Sequence, residues 1–355
     1  MSFTAVSKSL AAPLAAILLL CGCGADPAPI ASDPPLLKAE KAASFSDAAA
    51  PAREALFGPD GKALVTTSAS GTVAIRRLPD FRVSHRFHHD GGATSAAFAG
   101  AGRLLTGGYD GRIHIWDVQS RKRVGTLAGA QGTIWSLSVS PDGGRVAAAG
   151  EDKIIRIWNI ADGKLLRRLA GHERNIWEVR FSPDGKRLAS GSFDNRVRLW
   201  DADTGALLRT LTEHEQAVVG LAWSRDGRYL ATGGDDSVIF IRRGSDGAPV
   251  RKLAVGNHVY KLAFSADGQW LASSGRARSG LGTFWHQATG LGGDARPIRL
   301  WRVGDGALVA ALDLPDDAMS VAFGPNGQWL ASAGEDSQVN VWRLRLGGTP
   351  QEPGR

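Results

Sequence analysis

From Gly171 to Leu211 the chain alternates short apolar runs with turn-forming residues. Ile176 to Phe181, Arg187 to Ser190, Val197 to Trp200 and Ala206 to Leu211 are separated by Asp, Gly, Asn or Pro. Alternation with a period of two, broken every few residues, predicts one four-stranded antiparallel meander. The same text recurs. The position of Trp200 is met again at Arg76, Trp116, Trp158, Arg242, Trp301 and Trp342; along the chain the seven positions are spaced by 40, 42, 42, 42, 59 and 41 residues. One twisted four-stranded sheet cannot bury both of its faces alone, so seven copies predict an all-β fold of small sheets stacked in a closed array.

Turn chemistry agrees. Asp60-Gly61, Asp142-Gly143, Asp184-Gly185, Asp226-Gly227, Asp267-Gly268 and Asn326-Gly327 follow the first strand of six repeats, and these residues tolerate the positive φ of a tight hairpin. The second repeat has Ala99 to Gly102 there and predicts a looser turn. First strands such as Trp177 to Phe181 and Val218 to Trp223 are apolar nearly throughout, which suits the strand nearest a crowded axis, whereas fourth strands are more polar.

From Lys41 to Leu346 the chain resembles a seven-bladed WD40-repeat β-propeller. Its motifs are degenerate: Trp-Asp stands at Trp116-Asp117 and Trp200-Asp201, and Gly-His at Gly171-His172. The resemblance implies that an N-terminal strand, Lys41 to Phe45, completes the last blade and closes the ring. It also implies blade-stabilising hydrogen-bond sets. His172, Ser190, Asp194 and Trp200 form one complete set, and His89, Thr106, Asp110 and Trp116 another. His214, Thr232 and Asp236 lack the tryptophan because Arg242 replaces it. A His-Ser-Asp trio repeated blade after blade is scaffold rather than a catalytic triad.

In such propellers the face around the channel mouth is the usual docking surface. One residue per repeat falls near its centre: Arg53, Thr94, Trp135, Trp177, Val219, Tyr260 and Met319, with Tyr109, Phe193, Glu151, Asp235 and Glu335 around them. Aromatic side chains anchor partners at low entropy cost. The same large residues could instead plug the axis. Between Gly275 and Ala295 the sixth repeat carries an insertion, residues 276–294, rich in glycine but with Phe284, Trp285 and His286 in its middle. It reads either as a lid over the partner site or as a loop folded onto blade six.

The N-terminus does not belong to the repeats. Lys8 precedes an apolar run, Ala11 to Leu20, of secretory length and too short to span a bilayer, which takes about 20 residues. Leu20-Cys21-Gly22-Cys23 resembles a bacterial lipobox, which makes residues 1–22 a lipoprotein signal peptide and Cys23 the lipidated residue; an ordinary cleaved signal peptide is the alternative. Gly24 rather than Asp after that cysteine implies the outer membrane, facing the periplasm. Residues 23–40 read as a proline-rich tether and 347–355 as a disordered tail. Both cysteines lie in the leader, so the body holds no disulfide.

The formal charge of +7 is spread over scattered pairs such as Arg167-Arg168, which argues against nucleic-acid binding. There is no paired-histidine metal motif, no phosphate-binding glycine loop and no helical pattern to carry one. His85, His88, His114 and His258 stand isolated. The expectation is a monomeric, non-enzymatic scaffold without cofactor or metal, binding an envelope protein or peptide. A periplasmic enzyme working in the channel is the alternative.

Overall fold

Every regular element of the computed structural model is a β-strand among the residues it describes, 36–100, 102–276 and 296–347. The signal peptide, Cys23 and most of the tether lie outside those residues, as do residues 277–295, with Phe284 and Trp285, and the chain after Gly347. The strands form seven four-stranded antiparallel sheets, the blades of a β-propeller. In six blades the strands follow sequence order. The seventh is built from Ala318–Phe323, Trp329–Gly334 and Gln338–Gly347, with Leu36–Ser46 hydrogen-bonded to its outer edge.

The register of that last pairing runs from Leu36 opposite Gly347 to Ser46 opposite Gln338, slipping once between Lys41 and Ala43. The closing strand was thus legible, but it begins at Leu36 and takes in residues the sequence reading gave to the tether. The reason is burial: Leu37 packs with Trp270, Trp342 and Leu344 in the core between blades six and seven.

Seven apolar cores lie between neighbouring blades. The one between blades three and four joins Ile155, Ile157 and Leu169 to Ile176, Val179, Leu188 and Trp200. Each such side chain contributes roughly 1.5–3 kcal/mol on burial, which is why a blade is stable only with neighbours on both faces. The hairpins are held by the residues that announce them. In blade four Ser182 Oγ accepts the Arg187 N–H at 2.9 Å, Asp184 Oδ1 accepts the Lys186 N–H at 3.1 Å, and Gly185 takes a φ of 69°. Ser140 and Asp142, Ser224 and Asp226, and Ser265 and Asp267 repeat the device.

Candidate functional site

All seven inner strands slip register at their second residue, so each blade carries a β-bulge where the chain enters its first strand. The extra residues are Arg53, Thr94, Trp135, Trp177, Val219, Tyr260 and Met319. A bulged residue leaves the ladder and its side chain is re-aimed. In blades three and four the result is a stack: Trp135 and Trp177 lie with ring centroids 4.9 Å apart and planes 16° from parallel. Tyr109 meets the edge of Trp135 at 5.8 Å and Phe193 meets Trp177 at 5.5 Å. Tyr109 and Phe193 sit in the turns after the second strands of blades two and four, so a ladder of four half-buried rings crosses three blades. The Trp135 indole N–H is buried and has no hydrogen-bond partner among the described residues.

Beside Tyr109 the ladder continues as charge. Arg53 lies 2.6 Å from Glu335 and also interacts with the Tyr109 hydroxyl. Burial opposes the Arg53 cation, but Tyr109 and Glu335 outweigh it and raise its pKa. On the opposite arc Tyr260 donates to Asp317 at 3.3 Å. Burial, reinforced by the Asp317 charge, pushes the Tyr260 phenol up to about 12. Tyr260 makes no ring contact with the ladder; it belongs to a separate polar group with Asp317 and Arg276. Val219 is a correction: it is 3% exposed, packed within the propeller rather than presented at the mouth. Thr94 is likewise buried, its hydroxyl donating to the Ile134 and Gly107 carbonyls. Met319 is half-buried.

One turn further in, at the residue after each bulge, lies a set the sequence reading missed. Ser320, Glu54, Ser95 and Ser136 each accept an N–H from the inner strand of the next blade, those of Ala55, Ala96, Leu137 and Val179, at 2.6–3.2 Å. The series ends at Glu178, which is held by Lys261 instead, and in the next blade the position is Gly220, where a Cβ would stand 3.3 Å from Leu262. There Lys261 bridges back, 2.9 Å from Glu178 and 3.5 Å from Glu54, and Arg180 pairs with Glu178. Glu178 is fully buried. Glu54, Arg180 and Lys261 line a cavity of about 390 Å³ in the channel together with Leu56, Phe98, Val139 and Phe264, and Glu178 lies buried behind them. Glu178 and Arg180 share one strand, but Glu54 and Lys261 come from other blades, so the ring brings the group together.

The blade sets assemble as follows. In blade four Trp200 donates to Ser190 at 2.9 Å, Ser190 lies 2.7 Å from His172 Nε2, and His172 Nδ1 lies 2.9 Å from Asp194. Burial holds the His172 pKa below its ordinary value despite Asp194. Burial would raise the Asp194 carboxyl, but His172 and Arg198 outweigh it and hold it far below the usual range. Blade two joins Trp116, Thr106, His89 and Asp110 at 2.8–3.1 Å. The family profile described as WD domain, G-beta repeat matches residues 81–117, 121–159, 163–201, 205–242, 247–280 and 309–343, well over half of the sequence. The chain belongs to the WD40-repeat family. Two zebrafish (Danio rerio) proteins are similar over shorter stretches. A p21-activated protein kinase-interacting protein 1-like protein is 39% identical over 56 residues, 16% of this chain and 15% of its own length. Guanine nucleotide-binding protein subunit beta-5b is 35% identical over 91 residues, 24% of this chain and 23% of its own. This chain therefore spans less than a quarter of either relative.

Blade five departs from the WD40 pattern at the tryptophan position. Arg242 is fully buried where tryptophan would stand, and its Nε donates to Thr232 at 3.1 Å, which reproduces the indole hydrogen bond. Its charge is met by Glu213 at 3.2 Å and by the Phe240 ring, 4.7 Å below the guanidinium. Blade one solves the same substitution differently: Asp47, next to the closing strand, takes Arg76 through both carboxylate oxygens and also accepts from Thr66. His114 is not isolated, as its place in the sequence suggested; its ring centroid lies 4.3 Å from that of His89.

Proposed function

We propose that this WD40 protein is an exported, lipid-anchored scaffold of a bacterial cell envelope that holds a protein or peptide segment of another envelope component against its channel mouth. The observation that carries the docking reading is the continuous ring ladder Tyr109, Trp135, Trp177 and Phe193. Half-buried aromatic rings in a rigid row present large contact area with few torsions to freeze. Support for export comes from the leader alone: the apolar run Ala11 to Leu20, the lipobox-like segment ending at Cys23, and the Asp-Pro-Ala spacer after it. Attachment would raise the local concentration of the docking face beside membrane partners. Two relatives named, respectively, as a kinase-interacting protein and as a protein subunit are consistent with association rather than catalysis.

The insertion at residues 276–294 interrupts the connection after the second strand of blade six, equivalent to the turns that carry Tyr109 and Phe193. In this reading Phe284 and Trp285 cover the bound segment. The test is crosslinking of intact envelopes followed by co-purification: Trp135→Ala with Trp177→Ala releases the partner, and deletion of residues 277–293 weakens its capture. Retention by the double variant overturns the docking site. Mass spectrometry of the mature N-terminus tests Cys23, where an unprocessed chain overturns the anchor.

The rival, an enzyme working in the channel, has the buried charges Glu54, Glu178, Arg180 and Lys261 in its favour. Their mutual pairing leaves no carboxylate or amine free for a substrate, which favours a structural role.

A further inference from the structure

Blades four and five share one arrangement around the blade histidine. Nδ1 faces the aspartate, at 2.9 Å in His172 and 2.8 Å in His214, and Nε2 faces the hydroxyl of Ser190 or Thr232. Across the aspartate stands Arg198 in blade four, 2.7 Å from Asp194, and blade three places Arg156 against Asp152 in the same way. Blade two differs in three respects. The His89 ring is turned over, with Nδ1 at 2.8 Å from Thr106 and Nε2 at 3.1 Å from Asp110. The arginine position, opposite Thr106 in the ladder, is His114. Its Nε2 lies 4.0 Å from Asp110, while its Nδ1 is held by Thr126 at 3.1 Å.

The exchange of a guanidinium for an imidazole removes a fixed cation and supplies a lone pair. One ring nitrogen of His89, one of His114 and an Asp110 oxygen come within 4.8 Å of one another, and each histidine turns Nε2 toward Asp110, at 3.1 and 4.0 Å. Each histidine has its second nitrogen against a threonine hydroxyl, the support that orients a metal-binding imidazole. Asp110 faces outward, so the cluster is reached from solvent.

We propose that His89, Asp110 and His114 form a divalent-metal site that takes a zinc-type ion through two imidazole nitrogens and one carboxylate oxygen, with a fourth position open to solvent or a ligand. Zinc bonds of about 2.0–2.2 Å require the three atoms to draw in by side-chain rotation. The His89 proton then sits on Nδ1 and faces Thr106. Burial holds both histidines below their ordinary pKa, His114 at about 4, so both are neutral and able to ligate near pH 7. Arg123, half exposed, stands 3.5 Å from His114 Nε2 and 3.6 Å from Asp90; on entry of the ion it moves to Asp90.

The full chain, free of any polyhistidine tag and stripped with EDTA, is titrated with Zn(II) by calorimetry and with Co(II) by visible absorption. One equivalent binds, and the Co(II) complex shows the intense visible bands of a four-coordinate ion. His114→Arg gives blade two the residue that blades three and four carry, and weakens binding at least tenfold while the melting curve in EDTA is kept. His114→Phe, which copies Phe240 of blade five, is the second variant should the first fail to fold. Absence of one-to-one binding, or undiminished binding by a folded His114 variant, overturns the site.

Discussion

At the scale of single residues, the blade sets show how a degenerate repeat keeps its hydrogen bonds while changing its side chains. Arg242 reproduces the tryptophan donor to Thr232 but brings a buried charge, and one of its terminal nitrogens has no hydrogen-bond partner among the described residues. Burial lowers its pKa, partly offset by Glu213. Replacing a buried ion pair by a well-packed apolar group is often neutral or stabilising by about 1–4 kcal/mol. Arg242→Trp, which gives blade five the indole of its neighbours, is therefore expected to hold or raise the denaturation midpoint in urea. Trp200→Ala has no such compensation and is expected to cost about 3–5 kcal/mol on the same measurement. The histidines set the acid limit. His89, His114 and His172 are buried with lowered pKa, so below about 6.5 the unfolded chain takes up protons first and stability falls with pH. For His114 the loss runs from about 6.5 down to about 4. Melting temperatures followed from pH 7.5 to 4.5 should fall throughout this window, and less steeply in the His114→Arg chain.

At the scale of strands, the bulge at the start of each inner strand determines what each residue does. In blade four the bulged Trp177 joins the ring ladder and the next residue joins the channel charges, so Trp177 and Glu178, adjacent in sequence, enter different groups. Lys261→Met leaves Glu178 with Arg180 as its remaining cation, so it is expected to destabilise in chemical denaturation by less than the about 3–5 kcal/mol of a fully unpaired buried charge. The two tryptophans of the ladder were legible because repeats three and four mark the bulged position seven residues before the Asp-Gly hairpins Asp142-Gly143 and Asp184-Gly185. The channel network was not: Glu54, Glu178 and Lys261 lie in strands of different blades, and a charge in a strand gives no sign of a partner two blades away. Val219 failed for a related reason. Its register is that of Trp177, but a side chain of its size is enclosed by its neighbours instead of reaching past them. His114 could have been paired with His89 by setting repeat two beneath repeat four, where Arg198 marks the contact with the aspartate.

At the scale of the ring, the periodic spacing dictated seven blades and the short last repeat dictated their closure; the length of the closing strand depended on Leu37, whose burial only the packed structure shows. Deleting residues 36–46 uncovers the edge of Gln338–Gly347 and strips Leu37 from the core between blades six and seven, so the melting temperature should drop markedly and the protein should associate at higher concentration. An unchanged melt would remove the closing role. The outermost strand of blade seven is also the first part of the ring to be synthesised. Whether the chain is delivered by a ribosome or threaded through a translocation pore, that ribbon waits without a mate until Gln338 and its successors arrive. Any product halted earlier leaves that ribbon unpaired on both sides, which makes completion of the chain itself the step that seats it.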